Sequence, residues 1–135
     1  MCGIFSYKGR SYTWSELKDS VDLIGYRGPD NSHYNTIADN VLFAFHRLAI
    51  VGTTESGDQP MKHPQDESLT LICNGEIYNY KEIAERYDFN LTTGSDCEII
   101  LYLYQKFGIE RTIKELDGVF MFVLHDASSD QLFAS

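Results

Sequence analysis

Apolar residues along the chain follow two rhythms, and each predicts its own kind of element. Trp14, Leu17, Val21 and Ile24 recur at helical spacing behind Thr13-Trp14-Ser15-Glu16, which reads as a capping box, and Gly25 closes the helix. Cys97, Ile100, Leu101, Tyr104 and Phe107 form a second such stripe, behind a box at Ser95-Asp96-Cys97-Glu98 and ahead of Gly108. Asn79 with Glu82 predicts a short helix to about Arg86. Elsewhere the pattern is that of strands. Residues 2–7 form one, Val41 to Val51 a long strand or bent strand pair, and 69–73 another. The continuous run Gly118 to Leu124 predicts a strand covered on both faces, followed by a hairpin turn at Ala127 to Asp130 and a return strand over 131–135. Arg27-Gly28-Pro29-Asp30 is a turn-rich loop, and 52–68, with Gly52, Gly57, Pro60 and Pro64, reads as loop. Strands dominate and helices are inserted between groups of them. That order predicts an α+β protein with helices packed outside stacked sheets.

Composition narrows what such a domain can do. The 135 residues, 43% of them apolar, fit one domain over 1–135 with a real core. Eleven basic against twenty acidic residues give a net charge of −9, which argues against nucleic acid or an anionic membrane as partner. No apolar run approaches a membrane span, and the start lacks the pattern of a signal peptide. Three cysteines without paired spacing read as reduced thiols, Cys73 and Cys97 in the core, so the expected compartment is the cytoplasm. His33, His46, His63 and His125 are scattered, so no metal site is expected, and no glycine loop for a phosphate occurs.

The candidate chemistry begins at Cys2. With Met1 removed, one residue would carry a free thiol and a free α-amine, groups that titrate near ~8.5 and ~7.7–8.0. A base poised near neutrality beside a nucleophile is what covalent catalysis needs. The plain alternative is a small residue opening a strand. Arg47 is the second candidate. In one strand it shares a face with Phe43, Phe45 and Val51, where a guanidinium needs a carboxylate, either from the chain or from a ligand. His46 falls on the opposite face, as a core histidine. Asn74-Gly75 is by itself a tight-turn signal, but a side-chain amide and a glycine N–H can also converge on one oxygen. Asp96, at the first position of its helix, either complements the dipole or binds an ammonium group. Arg27 and Asp30 flank a Gly-Pro turn and can bridge across it.

These segments gain specificity from their joint order. Cys2-Gly3-Ile4-Phe5, Tyr26-Arg27-Gly28-Pro29-Asp30, His46-Arg47-Leu48-Ala49-Ile50-Val51, Gln59-Pro60-Met61, Asn74-Gly75-Glu76-Ile77-Tyr78-Asn79 and Gly94-Ser95-Asp96-Cys97-Glu98 follow one another along the chain. In that order they resemble the class II glutamine amidotransferase domain of glutamine-hydrolysing asparagine synthetases, over essentially the whole length. The resemblance implies an N-terminal nucleophile hydrolase fold, a four-layer αββα sandwich of two antiparallel sheets between helices. It implies that Cys2 attacks the side-chain amide of glutamine through a thioester, with Asn74 and Gly75 holding the oxyanion. It implies that Arg47 grips the glutamine α-carboxylate, that Glu76 and Asp96 surround its α-amine, and that the backbone of Leu48, Ala49, Ile50 and Val51 completes the pocket wall. No cofactor is implied for this chain. ATP and Mg are expected only for a synthetase domain or subunit that accepts the ammonia and is absent here.

The family pattern also runs for several strands past Ser135, so the fold is expected to be C-terminally truncated, with strand edges exposed. A non-catalytic module that binds glutamine or a partner is therefore the competing reading, and an unrelated thiol hydrolase pairing Cys2 with a histidine ranks below it. Retention or removal of Met1 separates the first two.

Overall fold

The computed structural model describes residues 2–48 and 58–135; Met1 and 49–57 lie outside them. Strand β1 (Gly3–Lys8) is followed by helix α1 (Trp14–Asp22), a 3₁₀ turn (Gly25–Arg27), and strands β2 (Asn31–Ala38) and β3 (Val41–Arg47). Strands β4 (Met61–His63) and β5 (Asp66–Ile77) come next, then helix α2 (Tyr80–Tyr87), a 3₁₀ turn (Asp96–Glu98), and helices α3 (Ile99–Phe107) and α4 (Ile109–Glu115). Strands β6 (Gly118–Asp126) and β7 (Gln131–Ala134) complete the order. The strands form two antiparallel sheets, one ordered β1-β3-β2 and the other β4-β5-β6-β7.

Period-2 alternation divides each sheet into two working faces. In the first sheet, Val41, Phe43 and Phe45 face the second sheet and meet its Ile72 and Val123. On the outer face, His46 is buried against α1, with Nε2 3.2 Å from the Val21 carbonyl and Nδ1 2.8 Å from the Ser32 hydroxyl. Phe5 and Tyr34 pack on Trp14 of α1. In the second sheet, Leu69, Leu71, Cys73, Phe122 and Leu124 turn the other way, toward α3, whose Ile99, Ile100, Leu101 and Leu103 are buried almost all round. The layers are thus α1, sheet, sheet and α2–α4, the expected αββα order.

Several sequence expectations need correction. Helix α1 stops at Asp22, so Ile24 and Gly25 belong to the following turn rather than to the helix. Its Thr13–Glu16 contact is present: the Glu16 carboxylate accepts from the Thr13 N–H and hydroxyl, each at 2.8 Å. The second box, Ser95 to Glu98, does not form. Glu98 is fully buried and accepts instead from both N–H groups and both hydroxyls of Thr92 and Thr93, at 2.8–3.0 Å. Asn79 starts α2, but its side chain bonds the Glu115 carbonyl and the Asp117 N–H, joining α2 to the approach of β6.

The segment read as loop over 52–68 contains β4 and the start of β5, and β5 runs on to Ile77. Strand β2 and helix α4 carry no strong apolar rhythm; β2 is held as an edge by its ladder with β3. Strand β6 is covered on both faces only from Phe122 onward, since Val119 and Met121 are exposed. The hairpin at 127–130 is as expected. Among the described residues, no helix is long and apolar enough to cross a membrane.

Candidate functional site

The same alternation that builds the core aims the site. Gly3 pairs with His46, so the antiparallel register sets Cys2 beside Arg47, and both turn toward the second sheet with Ile4 and Phe45. On β5, Asn74 and Glu76 continue the face of Ile72, which looks back at the first sheet. Two neighbouring strands of the first sheet and one strand of the second therefore present four polar side chains to one gap. That gap is a cavity of about 280 Å³, lined by Cys2, Arg47, Asn74, Gly75, Glu76 and Asp96 among others. Leu48 lines it too, whereas Ala49, Ile50 and Val51, expected in the wall, lie outside the described residues. The volume suits a small molecule, not a macromolecular groove.

The Cys2 sulfur is half-buried and bracketed by one residue. The Leu48 N–H donates to it at 3.4 Å, and its own S–H reaches the Leu48 carbonyl at 3.6 Å. Its carbonyl accepts from Arg27 Nε at 3.3 Å, so Arg27 braces the start of the chain. The Asp30 N–H donates to the Arg47 carbonyl at 3.0 Å. Gly28 sits flat on that same backbone. A Cβ there would meet the His46 carbonyl oxygen at 2.0 Å and the Arg47 carbonyl carbon at 2.6 Å. The Arg27–Asp30 loop is thus a wedge that seats β3 beside the N-terminus.

Arg47 is 8% exposed and ion-paired to Asp58, which also accepts from Asn31 Nδ2 at 3.3 Å and lies 3.3 Å from His33 Nε2. The chain itself thus supplies a carboxylate for this guanidinium, and Arg47 still lines the cavity.

Asn74 carries a buried amide oxygen with no hydrogen-bond partner among the described residues. Buried polar atoms are rarely left so, and the residue that carries this one lines a ligand-sized space beside a thiol. Gly75 has φ of +156° and no room for a side chain: a Cβ would stand 2.2 Å from the Val119 carbonyl oxygen and 2.4 Å from Phe120 Cα. Asp96 is fixed from outside its own turn, its Oδ2 accepting the Ile77 N–H at 2.6 Å, so the carboxylate stands at the end of β5. Glu76 is exposed at the rim, with Tyr78 and Val119.

Sequence reasoning left Gln59, Ser95, Cys73 and Cys97 out of the cavity wall, yet all four line it. Cys73 and Cys97 are buried, as expected of core thiols. A hydrogen bond with Cys73 and burial together push the Cys97 thiol well above its ordinary range. Among the described residues, no group of three or more potential metal ligands converges.

Known proteins resemble this chain along nearly its whole length. A family model described as a glutamine amidotransferase domain matches residues 1–135. Asparagine synthetase [glutamine-hydrolyzing] from Mesocricetus auratus and from Homo sapiens are each 42% identical to the chain over 98% of its length, and that from Gallus gallus is 40% identical. The match covers 24% of each of these relatives, so the chain spans about a quarter of their length.

Proposed function

The chain belongs to the glutamine amidotransferase domain family, and from that premise we propose that its cavity hydrolyses the side-chain amide of glutamine with Cys2 as nucleophile. The observation that carries this reading is the half-buried Cys2 sulfur, next to the Leu48 N–H, opening into the cavity that Arg47, Asn74 and Asp96 also line. Cys2, freed of Met1, attacks the amide carbon. Its α-amine takes the thiol proton and passes it to the departing nitrogen, which leaves as ammonia. The Asn74 amide and the Gly75 N–H meet the oxygen that becomes negative as the carbon turns tetrahedral. Water then cleaves the thioester, giving glutamate and restoring the thiol.

Arg47 is matched to the α-carboxylate of the substrate, as a planar fork that pairs with carboxylates. Glu76 and Asp96 are matched to its α-ammonium. One cation and two anions at fixed separation select a zwitterion whose side-chain amide reaches Cys2. Leu48 to Val51 would complete the wall. The ammonia would pass to an ATP-dependent synthetase domain or subunit, in keeping with relatives that are glutamine-hydrolysing asparagine synthetases.

The test is intact-mass analysis of the purified chain with and without a diazoketone analogue of glutamine, alongside an assay of glutamate release. Loss of Met1, a single adduct on Cys2 and glutamate release that disappears in Cys2→Ala are the expected results. An adduct on another residue, or glutaminase activity that survives Cys2→Ala, would overturn the mechanism.

A further inference from the structure

Strand β4 pairs with β5 through Met61↔Leu71, Lys62↔Thr70 and His63↔Asp66, and its ladder ends there. Toward Asn74, the β4 side of β5 has no strand neighbour among the described residues. At Cys73, one residue before Asn74, a side chain takes over. Gln59 Nε2 donates to the Cys73 carbonyl at 3.1 Å, and the Cys73 N–H donates back to Gln59 Oε1 at 2.5 Å. A primary amide offers one donor and one acceptor side by side, as a peptide group does in an antiparallel ladder. Gln59 is buried, 6% exposed, and lines the cavity.

We propose that Gln59 is the positioning residue of the oxyanion-binding pair. Its amide continues the β4 ladder by one rung and holds the β5 backbone in the orientation that aims Asn74 and Gly75 at the reacting oxygen. The proposal rests on the glutaminase reading above. Among the described residues no partner holds Asn74 Oδ1, so of the contacts they make it is the peptide carrying Asn74 that sets the place of the amide. The neighbouring residue points the same way. Asp58 reaches Arg47 on the first sheet while Gln59 reaches Cys73 on the second, so two consecutive side chains tie together the two halves of the cavity. Oxyanion donors act through preorganisation, and small misplacements of such groups cost rate rather than ground-state binding.

Two variants test this in the full chain, with active sites counted by diazoketone titration. In Gln59→Leu, kcat for glutamine should fall about tenfold to a hundredfold while KM stays within about twofold. The inhibition constant of glutamate γ-semialdehyde, whose adduct with the thiol carries the same developing oxyanion, should rise in parallel with the loss in kcat/KM. Alkylation of Cys2 by iodoacetamide should keep its rate. Gln59→Glu keeps the acceptor for the Cys73 N–H and loses the donor to its carbonyl. Protonation restores a donor, so its activity relative to wild type should recover as pH falls toward the carboxylic acid range. An active wild type with unchanged kcat in both variants overturns the proposal. So does a loss of kcat with no change in semialdehyde inhibition, or a Gln59→Glu ratio flat in pH. Wild-type protein inert toward both glutamine and the diazoketone would instead overturn the glutaminase reading, and this proposal with it.

Discussion

The backbone N–H of Leu48 lies 3.4 Å from the sulfur of Cys2, although the two residues are 46 positions apart. The β1–β3 register brings them together, and it places a donor where a thiolate would carry its charge. The α-amine of the same residue is the proposed base, so position and basicity can be separated by mutation. Insertion of one alanine between Met1 and Cys2 leaves the thiol in sequence context but removes the free amine from it. Glutaminase activity should drop by at least about a hundredfold, the usual contribution of a positioned general base. Circular dichroism and melting temperature should be unchanged. Full activity in the insertion variant would rule out the amine as base.

Arg47 is predicted to act on binding rather than on chemistry. Arg47→Lys keeps the charge beside Asp58 but loses the planar fork, and a charge-assisted hydrogen bond is worth about 1.5–3 kcal/mol. KM for glutamine should rise about tenfold or more, with kcat within about threefold. Steady-state kinetics decide it. A fall confined to kcat would place Arg47 at the reacting end instead.

Gly28→Ala tests the wedge. Its Cβ would lie 2.0 Å from the His46 carbonyl oxygen, against backbone that cannot rotate away. Overpacking of this kind costs typically about 1–3 kcal/mol, and a backbone obstacle puts this site at the upper end. The expected result is a melting temperature lower by several degrees, with weaker glutamine binding because Arg47 moves with that peptide. Wild-type stability in Gly28→Ala would show that the loop lifts off without consequence.

Asp126 links stability to acid. Burial raises its carboxyl, but the Ser128 hydroxyl, Tyr104 hydroxyl and Ser129 hydroxyl outweigh that and hold it down, from an ordinary 3.8 to about 2. A depressed folded value means the contribution is complete above the unfolded value and fades as pH falls from 3.8 toward about 2. Tyr104, itself pushed up to about 12 by burial and by Asp126, is one of the donors. Tyr104→Phe should therefore lower stability at neutral pH and narrow the gap to wild type once the carboxylate is protonated. Chemical denaturation at pH 7 and below pH 3 reads both arms. A destabilisation equal at the two pH values would assign it to packing alone.

Much of the site was legible because alternation needs only local information. One period of two sends Arg47 inward and His46 outward, whereas Asn74 joins the face of Ile72 only because β5 runs on to Ile77, past the turn that Asn74-Gly75 signals. What stayed hidden depends on partners distant in the chain. Strand β2 is polar on both faces and exists because β3 offers it a ladder. Glu98 looks like the end of a capping box until Thr92 and Thr93 claim its carboxylate. Asp58 and Gln59 stand in a stretch of glycine and proline that reads as loop, and their roles appear only when Arg47 and Cys73 arrive from other strands. Val119 and Met121 broke the expectation of a doubly covered β6 because an apolar run does not say how far the opposite sheet extends.

The nucleophile and its proposed oxyanion donors hang from opposite jaws of a caliper, and the opening between those jaws is the thickness of a single shim made by Phe43, Phe45, Ile72 and Val123. A methylene trimmed from or added to that shim would reset the reach of the sulfur across the opening while touching no reacting atom. Turnover should therefore be more sensitive than melting temperature to the girth of Ile72 and Val123.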